Sequence, residues 1–226
     1  MKKKALPLSA LILDVDGTLV DSNELHVKAW RDAFAKFGKN LPLEEIRPHI
    51  GKGGDLLVPD LLNAREMQQF SSELKEFRRE HFRSTYLEKV KPFPGITGTL
   101  RQFHEMGLKM ILATSSDPLE VEHFIELLEI EEIIEGSTSK EDAEFSKPSP
   151  EIFQAALERL GTPVEKTLTV GDTPYDILAA HRASLPIAAV TCGGFDRERL
   201  ERAEFIFDDV GDLLKGFKTV EDYFSD

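Results

Sequence analysis

The stretch Leu11-Ile12-Leu13-Asp14-Val15-Asp16-Gly17-Thr18-Leu19-Val20-Asp21-Ser22 constrains this chain more than any other: an apolar run stops abruptly in two carboxylates one residue apart. Leu8 to Leu13 reads as a short buried strand, closed by turn chemistry at Gly17. If the strand continues through Asp14, alternation puts Asp14 and Asp16 on the same side. Two like charges at a strand tip repel each other, and a divalent cation relieves them because carboxylate oxygens are preferred ligands of Mg²⁺. The other reading is a strand followed by an ordinary acidic turn, and this stretch alone leaves both open.

After Ser22 the period changes. Leu25, Ala29, Trp30, Ala33, Phe34 and Phe37 fall at helical spacing, with Gly38 as a stop. Short helices are expected near Leu43 to Ile46 and from Asp55 to Leu62. A charged helical region follows from Arg65 to Val90, with Ser71-Ser72 as a candidate point of division into two helices. No strand is expected between Glu24 and Val90, so this segment reads as an all-helical insertion. Lys91-Pro92-Phe93-Pro94-Gly95 ends it as a stiff connector and, with Leu19 to Asn23, forms a pair of linkers suited to a hinge.

Beyond Gly95 the chain alternates. Helices are expected at Ile96 to Met106, Pro118 to Leu128, Pro150 to Leu160 (capped by Ser149), Tyr175 to His181 and Val210 to Leu214. Strands are expected at Leu108 to Ala113, Ile133-Ile134, Thr167 to Val170, Ile187 to Val190 and Phe205 to Phe207. This is an α/β pattern: a mainly parallel sheet with helices on both faces. Ligands of such sheets bind outside the carboxyl ends of the strands, where Asp14, Asp16, Thr114, Ser115 and Asp172 all fall.

Three later segments stand at strand-to-helix switches or just before a helix. Thr114-Ser115-Ser116 offers hydroxyls and N–H groups for a phosphoryl oxygen, although Ser116 or Asp117 also suits a helix cap. Lys147, between Ser146 and Pro148, is a candidate fixed ammonium; most lysines are solvated surface charges instead. Gly171-Asp172-Thr173-Pro174-Tyr175-Asp176 repeats the logic of the first stretch, with Asp172 as a metal candidate and Asp176 as its support. The plainer reading of that segment is a helix N-terminus with acidic residues matching its dipole.

Taken together and in this order, Asp14-x-Asp16-Gly-Thr, Thr114, Lys147 and Gly171-Asp172-x-x-x-Asp176 resemble the signature of the haloacid dehalogenase superfamily, in its phosphatase branch. Phe93-Pro94-Gly95 and Gly171 to Asp176 are similar to the phosphoglycolate phosphatase-like and β-phosphoglucomutase-like subgroup. The resemblance implies a Rossmann-like catalytic core at 1–20 and 92–226, with a helical cap at 21–91 inserted after the first strand. It also implies Asp14 as the nucleophile that becomes an aspartyl-phosphate, and Asp16 as general acid and then base. Mg²⁺ would be held by Asp14, the Asp16 backbone carbonyl and Asp172, and phosphoryl oxygens by Thr114, Ser115 and Lys147. The cap would offer His26 and Lys52 to a small phosphorylated metabolite. Asp16 argues against dehalogenation, which needs no acid for an alkoxide. A phosphosugar mutase is the closest alternative, but Ile50-Gly51-Lys52-Gly53-Gly54-Asp55 has glycine where the mutases carry a cap arginine. A non-catalytic binding protein on the same fold is a third reading.

Charge narrows the partners. A formal net charge of -13 over 226 residues disfavours nucleic acid and anionic membranes. The single cysteine, Cys192, excludes an internal disulfide and fits a reducing cytoplasm. The start, Met1-Lys2-Lys3-Lys4 with Leu6, only faintly resembles a secretion signal and has no small-residue cleavage site. A monomer or small homo-oligomer is expected.

Overall fold

The computed structural model describes residues 8–225, so the lysines and first apolar residues of the signal-like start lie outside the described residues. The first strand, β1, spans Ala10–Leu13. It begins two residues later than the apolar run predicts and ends before Asp14. The Asp14 N–H still donates to the Val170 carbonyl at 2.9 Å, so the main chain keeps its alignment with the neighbouring strand one residue beyond β1. β1 is buried at every position, and each of Leu11, Ile12 and Leu13 contributes about 1.5–3 kcal/mol by leaving water.

A two-residue strand, β2 (Val20–Asp21), leads into helices α1 (Asn23–Lys36), α2 (Leu43–Ile46), α3 (Gly54–Leu61) and α4 (Ala64–Thr85). The chain returns through β3 (Lys91–Pro92), which pairs antiparallel with β2, so the two linkers are hydrogen-bonded to each other. No strand interrupts the helical segment between them. α4 is one continuous helix; the candidate division at Ser71-Ser72 does not occur. Asn63 starts it with a capping box completed by Glu66. The four helices share an apolar cluster that includes Val27, Trp30, Phe34, Ile46, Leu57 and Leu74.

The remainder supplies α5 (Ile96–Glu105), β4 (Lys109–Ala113), α6 (Pro118–Leu128), β5 (Ser137–Thr138), α7 (Glu151–Leu160), β6 (Thr167–Gly171) and α8 (Pro174–Arg182). It closes with β7 (Ile187–Val190), β8 (Phe205–Phe207), α9 (Val210–Lys215) and α10 (Phe217–Ser225). The expected strand at Ile133-Ile134 is a turn instead, and the edge strand β5 forms three residues later. Ser149 does not cap α7: Pro150 stands at that position, and the Ser149 hydroxyl donates to Glu151 Oε1 at 3.0 Å. α10 has no counterpart among the predicted elements.

The sheet has six parallel strands in the order β5-β4-β1-β6-β7-β8. Alternation along β1 serves two apolar layers. Leu11 and Leu13 pack with Leu100, Phe103, Phe124, Val220 and Phe224 of α5, α6 and α10. Ala10 and Ile12 pack with Phe153, Ala156, Ile177 and Ala180 of α7 and α8. Helices therefore cover both faces, and the carboxyl ends of β1, β4 and β6 are left to carry polar residues. Phe82 and Tyr86 of the inserted segment belong to the first layer, which seats that segment on the sheet.

Candidate active site

Beyond the carboxyl end of β1, the chain turns sharply through Gly17, whose φ of +77° suits glycine. A Cβ there would overlap Asn23 Nδ2 and Asp172 Oδ2. That turn lets the ends of β1 and β6 meet the first turn of α8. Asp14, Asp172 and Asp176 each bring a carboxylate oxygen within 4.8 Å of the others, all three buried. Lys147 enters from the loop before α7. Its Nζ donates to Asp14 Oδ1 at 2.5 Å and to the Ala113 carbonyl at 3.2 Å, and lies 2.7 Å from Asp176 Oδ1. Asp176 Oδ2 accepts from the Thr173 N–H at 3.0 Å and the Thr173 hydroxyl at 2.6 Å, closing the N-terminus of α8. Asp176 thus stands inside the carboxylate cluster, whereas the sequence suggested a support behind Asp172.

Asp16 has a different environment. Its carboxylate turns away from the cluster and accepts from Ser22 Oγ at 2.6 Å, His26 Nε2 at 2.8 Å and Ser116 Oγ at 2.7 Å. Arg78 Nη2 lies 2.5 Å from His26 Nδ1. Arginine only donates, so Nδ1 accepts and Nε2 carries the hydrogen toward Asp16. His26 also stacks on Phe82, ring centroids 4.1 Å apart. The structure therefore commits both nitrogens of His26 to the protein, where the sequence offered the side chain to substrate.

The two aspartates titrate in opposite directions. Burial pushes Asp14 up to about 7; Lys147 opposes the rise and Asp176 adds to it. Burial also raises Asp172 well above the ordinary carboxylate range, with Asp14 and Asp176 reinforcing it. Burial penalises Asp16 as well, but the His26, Ser22 and Ser116 contacts outweigh it and hold Asp16 far below that range.

Asp14, Asp16, Lys147 and Asp176 open on one cavity of about 500 Å³ between the carboxyl ends of the strands and the helical segment, with Asp172 buried behind its lining. Thr114 and Ser115 line it, and Thr114 Oγ1 accepts the Ser116 N–H at 3.0 Å. Asp117, not Ser116, occupies the N-cap position of α6. Lys52 reaches the wall, but its ammonium pairs with Asp60 and lies 3.2 Å from His49 Nδ1. Sequence reading missed Asn23 and Arg78, both in the cavity wall. Their partners are 149 and 52 residues away, and no local spacing reports such a contact.

Three buried carboxylates facing one ammonium leave uncompensated negative charge, and Asp176 Oδ1 takes no well-aligned hydrogen bond. An all-oxygen donor set of this charge fits a hard divalent cation.

A parallel α/β sheet with aspartates at the tips of β1 and β6 and an inserted helical segment is the architecture of a large hydrolase group. The haloacid dehalogenase-like hydrolase family model matches residues 11–190, and the chain belongs to that family. The PpaX protein of Caldanaerobacter subterraneus subsp. tengcongensis is 29% identical over 221 residues, covering 94% of this chain and 96% of its own. Pyrophosphatase PpaX of Halalkalibacterium halodurans is 26% identical over 216 residues, covering 92% and 96%. The crystal structure of a hydrolase from Pseudomonas syringae superimposes with a TM-score of 0.86 at 28% identity, covering 95% of this chain and 99% of that one.

Proposed function

We propose that this chain is a Mg²⁺-dependent phosphatase that hydrolyses a small phosphate monoester through a phosphoryl group carried on Asp14. In this reading residues 21–91 act as a cap over a core of 1–20 and 92–226. The observation that carries it is the division of labour at the tip of β1: Asp14 held by Lys147 among carboxylates, Asp16 held apart by three donors.

Asp14 and Asp172, with the Asp16 main-chain carbonyl, would hold the cation, which when bound neutralises phosphoryl charge and eases an anionic substrate toward a carboxylate. An Asp14 oxygen forms a bond to phosphorus as the bond from phosphorus to the leaving oxygen breaks. Where the leaving oxygen is an alkoxide, Asp16 first has to take up a proton and turn from its three donors to deliver it there. Asp16, now a carboxylate, accepts a proton from water as that water attacks phosphorus. The bond to Asp14 breaks, its carboxylate is restored and inorganic phosphate leaves. Lys147 and the hydroxyl groups of Thr114 and Ser115 offer donors to the phosphoryl oxygens.

The three donors around Asp16 also favour a second substrate reading. They hold it as an acceptor, the form required for the water step. A weakly basic leaving group, such as the phosphate released from pyrophosphate, needs the least help from an acid. The pyrophosphatase name of the Halalkalibacterium halodurans relative agrees with that reading.

Phosphorus NMR of product mixtures from 2-phosphoglycolate, pyrophosphate and β-glucose 1-phosphate tests the proposal. The expected outcome is inorganic phosphate, formed with Mg²⁺ and abolished by EDTA. Conversion of the sugar phosphate to glucose 6-phosphate, primed by a bisphosphate and without phosphate release, decides for a mutase instead. Full activity after exhaustive chelation removes the cation from the account.

A further inference from the structure

Asn23 is the first residue of α1, one place inside the N-cap position that Ser22 holds, where a polar side chain could simply face solvent. Here it does something else. Asn23 Nδ2 lies 2.7 Å from Asp172 Oδ2 and 2.8 Å from the Gly193 carbonyl. Both partners are acceptors, so the amide nitrogen must face them, and its two hydrogens are both used. The side chain is buried, and one donor group thus bridges the root of the inserted segment, the tip of β6 and the loop after β7.

The space around that bridge admits nothing larger. A Cβ at Gly17 would overlap both Asn23 Nδ2 and Asp172 Oδ2, and one at Gly193 would overlap Asp172 Oδ2. Asp172 Oδ2 is therefore enclosed by two glycines and an amide. Its other oxygen, Oδ1, lies 3.3 Å from the Thr18 hydroxyl, which is also 3.2 Å from Asp14 Oδ2. A hydroxyl has one hydrogen to give, so it cannot satisfy both carboxylates at once. Asn23 thus fixes one oxygen of Asp172 and leaves the other turned toward Asp14, within the group of carboxylates that fits a cation.

We propose that Asn23 is a positioning residue for the divalent-cation site, setting the rotation of the Asp172 carboxylate from the first turn of the inserted helical segment. The proposal rests on the cation-dependent reading of the site given above. The chemistry explains the residue type. Aspartate would supply a fourth carboxylate and no amide hydrogens, and an apolar side chain would leave Asp172 Oδ2 without its donor. Groups that orient metal ligands in this way usually change affinity by about 10–100-fold when removed.

The test is Mn²⁺ and Mg²⁺ binding to the purified full chain, by titration calorimetry and by the electron paramagnetic resonance of free Mn²⁺. Wild type is compared with Asn23→Ala, which removes the side chain, and Asn23→Ser, which is smaller than asparagine and gives one hydrogen where the amide gives two. Circular dichroism and cation-free melting curves establish which variants fold. The expected result is a dissociation constant raised about 10–100-fold in each folded variant. A purely structural role would lower the melting temperature and leave the dissociation constant alone. Values within twofold of wild type in either folded variant overturn the role of Asn23 while leaving the cation reading intact. Failure of wild type to bind either cation overturns the cation reading, and this inference with it.

Discussion

Asp14 and Asp16 are separated by one residue, yet their surroundings oppose each other. Asp14 is raised to about 7 by burial, against the pull of Lys147, and Asp172 is raised by burial and by Asp14 and Asp176. A carboxyl group whose folded pKa lies above its unfolded value binds its proton more tightly in the folded state. Its stabilising effect is present below the unfolded value near 3.8 and is lost as pH rises toward 7. Asp16 shifts the other way, and its contribution is complete once pH exceeds the unfolded value. The cation-free protein should therefore be more stable at pH 5 than at pH 8, and Mg²⁺ should narrow that gap. Urea unfolding midpoints at both pH values, with EDTA and with Mg²⁺, check this; a cation-free midpoint higher at pH 8 contradicts it. Much of this site was legible in the sequence, because Asp14, Asp16, Thr114, Lys147 and Asp172 all border elements whose apolar runs announce themselves. The contacts of Asn23, Arg78 and Ser116 were not, because each depends on which distant loop the fold brings beside it.

At the scale of elements, the stretch from Pro48 to the start of α3 at Gly54-Asp55 seats the inserted segment on the core. The Ser146 N–H donates to Asp55 Oδ2 at 3.4 Å, and the Tyr175 hydroxyl donates to the Pro48 carbonyl at 2.7 Å. Gly53 packs against Ser146, next to Lys147, so closely that a Cβ would overlap the Ser146 hydroxyl and Asp55. The structure thus gives Gly53 a steric role. Gly53→Ala should lift the loop, shift Lys147 and lower kcat/KM by roughly 10- to 100-fold. Steady-state kinetics beside a melting curve checks this, and unchanged kinetics shows that the loop does not govern the site. Elements with strong periodicity were readable, and the misses have physical causes. Two serines weaken a helix by only a few tenths of a kcal/mol each, too little to break the long amphipathic α4. Ile133 and Ile134 are apolar, but they pack on the core cluster from a turn. Sheet pairing begins only when the Glu135 N–H meets the Met110 carbonyl at 2.7 Å. The spacing of Phe217, Val220 and Phe224 does carry a helical signal, and in α10 these residues pack in the cluster that includes Phe103.

For the molecule as a whole, the cavity wall mixes charges of both signs, with Asp14, Asp16, Asp55, Glu76, Asp117, Glu120 and Asp176 on the acidic side. Against a net charge of -13, the cavity wall includes Lys52, Lys75, Arg78, Arg79, Lys140 and Lys147. Only Lys147 among them contacts Asp14, which singles it out as the ammonium that would meet both nucleophile and phosphoryl group. Among the described residues, no helix is long and apolar enough to cross a membrane. The central claim is that phosphoryl transfer passes through Asp14. It is tested by rapid acid quench of the protein turning over a phosphate monoester with Mg²⁺, followed by borohydride reduction and peptide mass spectrometry. Reductive conversion at Asp14 is expected in wild type, and neither that conversion nor phosphate release in a folded Asp14→Asn variant. Turnover of Asp14→Asn near the wild-type rate, or trapped phosphoryl at a different residue, would contradict it.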